Sequence, residues 1–220
     1  MIIGVTIAGK HSLDDLGMYL TDADIGFPEV RTNYVDVPGR NGLLDLSTAL
    51  DGEIQYRDRI ITLTFVTTAR LCGQTWPSFL ASLASIVHGQ LVPLAFDDDE
   101  DWYYSGRGAI SSYAMEGSRW TVQIEFTCDP WRYKSAETTV TDSLTEADTE
   151  ISLSCDRRPV VPAITTTAET VLTWGADSYT VSAGTRQLPG IRLTQGTHTL
   201  KARTTSGTGE ITITYQEGSL

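Results

Sequence analysis

The segment "RIITLTFV", Arg59–Val66, decides the fold class. Ile61, Leu63 and Phe65 fall on one face, with Thr62 and Thr64 on the other. A side-chain period of two, rich in β-branched residues, is the pattern of a half-buried antiparallel strand. "TVQIEFT" repeats it, with Val122, Ile124 and Phe126 set against Gln123 and Glu125. "ITITY" repeats it again, Ile211, Ile213 and Tyr215 alternating with threonines. The chain is expected to be mainly β.

One stretch departs from that period. "TWPSFLASLASIVHGQ" spaces Phe79, Leu83, Ile86 and Val87 as the apolar stripe of an amphipathic helix. Thr75 suits the N-cap, Pro77 the first turn and Gly89 the residue just past the end. His88, in the last turn, would favour the helix dipole. This is expected to be the only long helix.

Working outward, the composition shifts near Tyr133. "CDPWRY" closes a strand-rich block, and "KSAETTVTDSLTEADTE" reads as a linker or a first edge strand. "EISLS", "VVPAITTT", "VLTW", "SYTVS", "THTLKA" and "EITITY" follow, with turn signals between them, as in a small β-sandwich. The expected division is residues 1–133, an α+β antiparallel domain with one helix, and residues 134–220, an all-β sandwich.

The 220 residues are 40% hydrophobic and 20% charged, ordinary for a folded chain with ample core. The formal net charge is -12. That balance argues against sequence-independent binding to nucleic acid or to an anionic membrane, since phosphate contacts need clustered Lys and Arg. Cys72, Cys128 and Cys155 are far apart, odd in number and without metal-ligand spacing. Folding in a reducing cytoplasm is the simplest reading. "MIIGVTIAGK" lacks the basic region and apolar run of a signal peptide, and no apolar stretch approaches transmembrane length.

"VDVPGRNGLLDLS", Val35–Ser47, holds two turn dipeptides around one arginine. It is a phosphate cradle or the tip of a hairpin. A P-loop would end in Lys-Ser/Thr and open a helix, and neither feature follows "PGRNG". The hairpin is preferred, Pro38-Gly39 suiting a type II turn and Asn41-Gly42 a type I′ turn, with Arg40 between them. "YRDR", Tyr56, Arg57, Asp58 and Arg59, sets two arginines around a carboxylate, either a surface ion pair or an inter-subunit contact.

The acidic run "DDDEDWYY", Asp97–Tyr104, lacks the glycine of a calcium loop and reads as a solvated turn. His11, His88 and His198 lie in unrelated contexts, with no nucleophile signature nearby. Trp102, Tyr103, Tyr104, Trp120, Trp131 and Tyr133 could stack on sugars, but residues of this kind are more often core or interface anchors. Neither a catalytic residue nor a metal or cofactor site is expected, and the chain reads as non-enzymatic.

"VDVPGRNGLLDLS" followed by "YRDRIITLTF" resembles the N-terminal signature of distal tail proteins (Dit) of long non-contractile-tailed bacteriophages. "WPSFLASLASIVHG", "QLVPLAFDDDEDWYYSGR", "FTCDPWRY", "RRPVVPAI" and the terminal "ITITYQEGSL" keep the order of that family. The resemblance implies a structural virion protein of the tail tip. It would form a hexameric ring, with a helix and long hairpin in the ring-forming domain and a galectin-like sandwich outside. That ring would join the tail tube protein to tail-tip or baseplate hub proteins, with the tape-measure protein a further partner that the resemblance allows. Its lumen would pass DNA without specific nucleic-acid binding, and the protein would be made in the host cytoplasm. Val37, Pro38, Gly39, Arg40, Asn41 and Gly42, with Tyr56, Arg57, Asp58 and Arg59, would then belong to the ring-forming domain and are the candidate assembly residues. There is no room for the inserted carbohydrate-binding modules of larger relatives. The alternative function is a carbohydrate-binding module that contacts host cell-surface glycans through the C-terminal sandwich, using Trp174, Tyr179 or Tyr215.

Overall fold

The computed structural model describes residues 4–49 and 52–220, so the first three residues of the N-terminal stretch read above lie outside it. Two compact units divide between Arg132 and Tyr133.

The first unit contains β1 (Val5–Ile7), β2 (Lys10–His11), β3 (Tyr19–Ile25), β4 (Val30–Arg31), β5 (Tyr34–Val35), β6 (Leu44–Asp45), β7 (Gln55–Tyr56) and β8 (Arg59–Thr67). Then come α1 (Ala69–Cys72), α2 (Trp76–Val87), β9 (Leu91–Phe96), β10 (Trp102–Glu116) and β11 (Arg119–Lys134), whose last residues pass into the second unit. The main sheet runs in the order β2-β1-β9-β10-β11-β8-β3. β11 and β8 pair antiparallel, with Val122, Ile124 and Phe126 opposite Phe65, Leu63 and Ile61. All six of those side chains are buried, so the two strands commit the same face to one core.

Helix α2 covers that core with Phe79, Leu83 and Val87, while Ile86 is half-buried at its edge. Thr75 occupies the N-cap without a side-chain capping bond, and Gly89 takes a left-handed φ of 77°. The Trp76 ring lies 5.0 Å from Trp120, and Phe79 sits 6.1 Å from each. His88 is the C-cap of α2, and its Nδ1 accepts a hydrogen bond from the Ile110 amide at 3.1 Å. That bond ties the helix end to β10. At Gly108 the helix and sheet come close enough that a Cβ would meet Val87 Cγ1 at 2.5 Å and Phe126 Cε1 at 2.7 Å.

The second unit contains β12 (Thr138–Leu144), β13 (Thr149–Cys155), β14 (Ala163–Thr166), β15 (Thr170–Trp174), β16 (Asp177–Val181), β17 (Gly184–Gln187), β18 (Gly196–Thr204), β19 (Gly209–Tyr215) and β20 (Gly218–Ser219). Two four-stranded sheets, β12-β19-β14-β17 and β13-β18-β15-β16, enclose Ile151, Leu153, Ile164, Leu172, Leu200, Ile211 and Ile213. The threonine-rich stretch after Tyr133 supplies an edge strand, since β12 pairs only with β19 in its sheet.

Candidate assembly surface

Between β3 and β8 the chain leaves the main sheet as a two-tier hairpin arm. At its base β4 pairs with β7, Val30 opposite Tyr56 and Arg31 opposite Gln55. Further out β5 pairs with β6, Tyr34 opposite Asp45 and Val35 opposite Leu44. The tiers are joined by Asn33, whose amide donates to Ser47 Oγ at 2.9 Å and whose carbonyl accepts from the Leu46 amide at 2.8 Å. Ser47 in turn donates through both its hydroxyl and its amide to the Asp45 carboxylate, which holds that carboxyl below its ordinary range.

"PGRNG" lies in the tip loop between β5 and β6, as a hairpin requires. The Arg40 amide donates to Val37 O at 3.1 Å, and Gly39 has a φ of 86°, the geometry of a type II turn with glycine at its third position. The type I′ expectation for Asn41-Gly42 fails. That turn needs a positive φ at both residues, and only Gly42 has one, at 76°. The tip loop spans eight residues, 36–43, so no tight two-residue reversal is imposed on Asn41.

The two arginines of "YRDR" separate completely. Arg57 is exposed at the base of the arm, its Nε 3.7 Å from Glu29 Oε2 and its amide donating to Glu29 O at 2.8 Å. Arg59 is only 3% exposed. Its Nε and Nη2 both donate to Pro130 O, at 3.1 and 2.8 Å, and its guanidinium lies 5.0 Å from the Tyr104 ring centroid. Burial pulls its pKa down. Both donors are consumed inside the unit, so Arg59 is internal scaffolding for the arm's root and not a surface contact. Tyr56 packs the edge of its ring against Trp131, with centroids 5.3 Å apart. Asp58 is exposed beside it.

The arm's apolar residues were not singled out by sequence pattern. Phe27 is 83% exposed, Leu43 57% and Tyr34 53%, and Val30, Val35 and Ile54 are exposed as well. An isolated two-stranded ribbon is marginal in water, because it has no second layer on which to bury a face. Here six large apolar side chains on or beside such a ribbon keep 39% to 83% of their surface exposed.

The other sequence candidates resolve into local structure. The acidic run is the turn between β9 and β10, where Asp97 meets His11 Nε2 at 3.2 Å and Asp99 binds Arg132 at 2.5 Å. His11 also lies 3.0 Å from Asp14. The aromatic group does not form one platform: Tyr104 and Trp120 are buried, Trp102 lies under Arg132, and Tyr133 under Arg158. Among the described residues no group of three or more His, Cys, Asp or Glu side chains is placed to hold a metal ion, and no helix is long and apolar enough to cross a membrane.

Neither a protein-family model nor a curated protein sequence matches the chain. Comparison with solved structures finds the crystal structure of SPP1 Dit (gp 19.1), described as a paradigm of the hub adsorption apparatus in phages infecting Gram-positive bacteria. It superposes with a TM-score of 0.69 over 100% of both chains, at 16% sequence identity. The chain has the fold of a phage Dit protein. The Dit fold and the resemblance carried by "VDVPGRNGLLDLS" and "YRDRIITLTF" therefore agree. A Dit-like fold also accounts for the mainly β composition with one long helix.

Proposed function

We propose that this chain is a structural, non-enzymatic component of a phage tail tip. It assembles through its first unit into a hexameric ring that joins the tail tube protein to the tail-tip hub proteins, within the virion. The observation that carries the reading is the uncovered arm, supported by the full-length likeness to SPP1 Dit. Burying large apolar side chains between copies supplies what a lone ribbon lacks, at about 25 cal/mol per Å² removed from water. The ring interface would use Val37, Pro38, Gly39, Arg40, Asn41 and Gly42 at the tip and Tyr56, Arg57 and Asp58 at the base, with Leu43, Tyr34 and Phe27 added as apolar contacts. A ring of this kind leaves a lumen for DNA. The functional division would fall near Tyr133, with residues 1–133 building the ring and residues 134–220 forming a separate domain.

Native mass measurement with negative-stain imaging tests the proposal. Six-fold rings with a central hole are expected for the wild-type chain, and monomers for the double variant Tyr34→Ser, Leu43→Ser. Since both side chains are exposed in the single chain, the variant should keep the wild-type far-UV spectrum and a cooperative unfolding transition, its midpoint lower only by what ring assembly adds to wild type. Rings that persist in the variant would remove the arm from the interface. A wild-type chain that stays monomeric at high concentration, alone and with its tube protein, would overturn the ring.

A further inference from the structure

On the core-side face of β10, helix α2 ends at the level of Gly108, where Val87 closes on the strand. Tyr104 and Trp102 continue along that face past the end of the helix. With Phe96 of β9, Ile25 of β3 and the turn residues Asp98 and Asp99, they line a notch of about 330 Å³. Its floor is apolar and aromatic, and its rim is acidic. The two carboxylates of the rim differ. Asp99 binds Arg132 at 2.5 Å, and the Arg132 guanidinium lies 4.7 Å from the Trp102 ring centroid, so that acid and that ring already share a cation. Asp98 is exposed and has no cation or hydrogen-bond donor among the described residues.

The arm tip has the complementary composition. Between Val37 and Leu44 the sole charge is Arg40, set among Val37, Pro38, Leu43 and Leu44. The type II turn fixes the Arg40 amide, whereas its exposed guanidinium has no partner among the described residues. A single chain does not join the two surfaces. Ile25 is the last residue of β3, before the arm begins, and the paired tiers β4–β7 and β5–β6 hold the tip out beyond it.

We infer that the arm tip of one copy docks in this notch of the next copy, with Arg40 against Asp98. The inference rests on the ring reading above and names the surface that receives the arm. The aliphatic stem of an arginine suits the floor of Ile25 and Phe96, and its planar fork suits a carboxylate at the rim. Val37 and Leu43 on either side of it would shield the pair from water. A shielded pair is screened less than an exposed one, whose net worth is close to zero. A projection at one place and its receptor at another join copies head to tail, and such contacts close into a ring when the rotation between copies permits.

The test is charge exchange in the full chain, read by native mass measurement. Arg40→Glu sets like charges against each other at every contact, and so does Asp98→Arg. Each single variant should stay monomeric at about tenfold the concentration at which wild type forms rings. The double variant should form rings as wild type does. An equimolar mixture of the two single variants should also form them, with equal numbers of each, because every Arg40→Glu tip then meets an Asp98→Arg notch. Asp101→Arg, in the same turn but outside the notch lining, should leave assembly unchanged. All three positions are exposed, and far-UV spectra matching wild type confirm that each variant is folded. Wild type that forms no rings would overturn the ring reading and the pairing together. Wild-type rings with either single variant assembling equally well would overturn the pairing and leave the ring standing. Recovery in the double variant but not in the mixture would place the tip on its own chain and overturn the contact between copies. Recovery in neither, or loss of rings in Asp101→Arg, would overturn Asp98 as the partner of Arg40.

Discussion

Replacing Arg59 by methionine should destabilise the first unit by about 2–3 kcal/mol. The side chain keeps its length and apolar stem but loses two charged donors to Pro130 O and the contact with the Tyr104 ring. Hydrogen bonds from a charged group contribute roughly 1.5–3 kcal/mol net, and a desolvated cation over an aromatic ring about 1–2 kcal/mol. Methionine no longer has to strip water from a guanidinium, which offsets part of that loss and is the cause of the lowered Arg59 pKa. The Pro130 carbonyl loses both of those donors, which works in the opposite direction. Arg57→Met is the matched control. Its ion pair with Glu29 is exposed on both sides, so the change should stay within about 0.5 kcal/mol. Urea unfolding followed by far-UV circular dichroism and tryptophan fluorescence reads both variants. If Arg59→Met is as stable as wild type, or if Arg57→Met costs as much, the assignment of one arginine to scaffold and the other to surface is wrong.

Three further outcomes follow from the close packing of the cores. Gly108→Ala places a methyl against Val87 and Phe126 and should cost about 1–3 kcal/mol by overpacking, read as a lower urea midpoint; an unchanged midpoint would mean α2 can shift freely on the sheet. Burial pushes the Cys128 thiol up to about 12 and the Cys155 thiol up to about 11 from an ordinary 9.0. Both thiols stay protonated in the folded chain at pH values where the unfolded chain has begun to ionise, so their contribution to stability is complete below pH 9. It should then fall as pH rises, by up to about 1.4 kcal/mol per unit for each group, until each folded thiol ionises in turn. Urea midpoints between pH 8 and 11 should decline less in Cys128→Ala than in wild type. A native-state thiol reagent at pH 8 should label the half-buried Cys72 and leave Cys128 and Cys155 until unfolding.

The strands that were legible are those with one buried and one open face. Ile61, Leu63 and Phe65 alternate because solvent lies on one side of β8 and the core on the other. Strands without that asymmetry were missed. β17, "GTRQ", is exposed along its whole length and reveals itself only by pairing with β14. β3 hides its alternation behind a register shift between Leu20 and Asp22. Helix α1 is a four-residue turn too short to show a stripe. The arm could be foreseen as a hairpin from its turn dipeptides, but its exposed apolar residues could not, because local sequence does not report whether a leucine finds a neighbour.

The sequence by itself determined the β class, the long helix with its boundaries, and the turn that tips the arm. These depend on periodicity, caps and φ preferences, which act over a few residues. Tertiary structure alone decided that Arg59 turns inward to Pro130 while Arg57, two residues away, faces water. It also decided that His88 accepts a bond from Ile110 and that the Trp174 ring meets the His198 ring. Each of these pairings joins residues more than twenty positions apart, and only the sheet register brings them within reach.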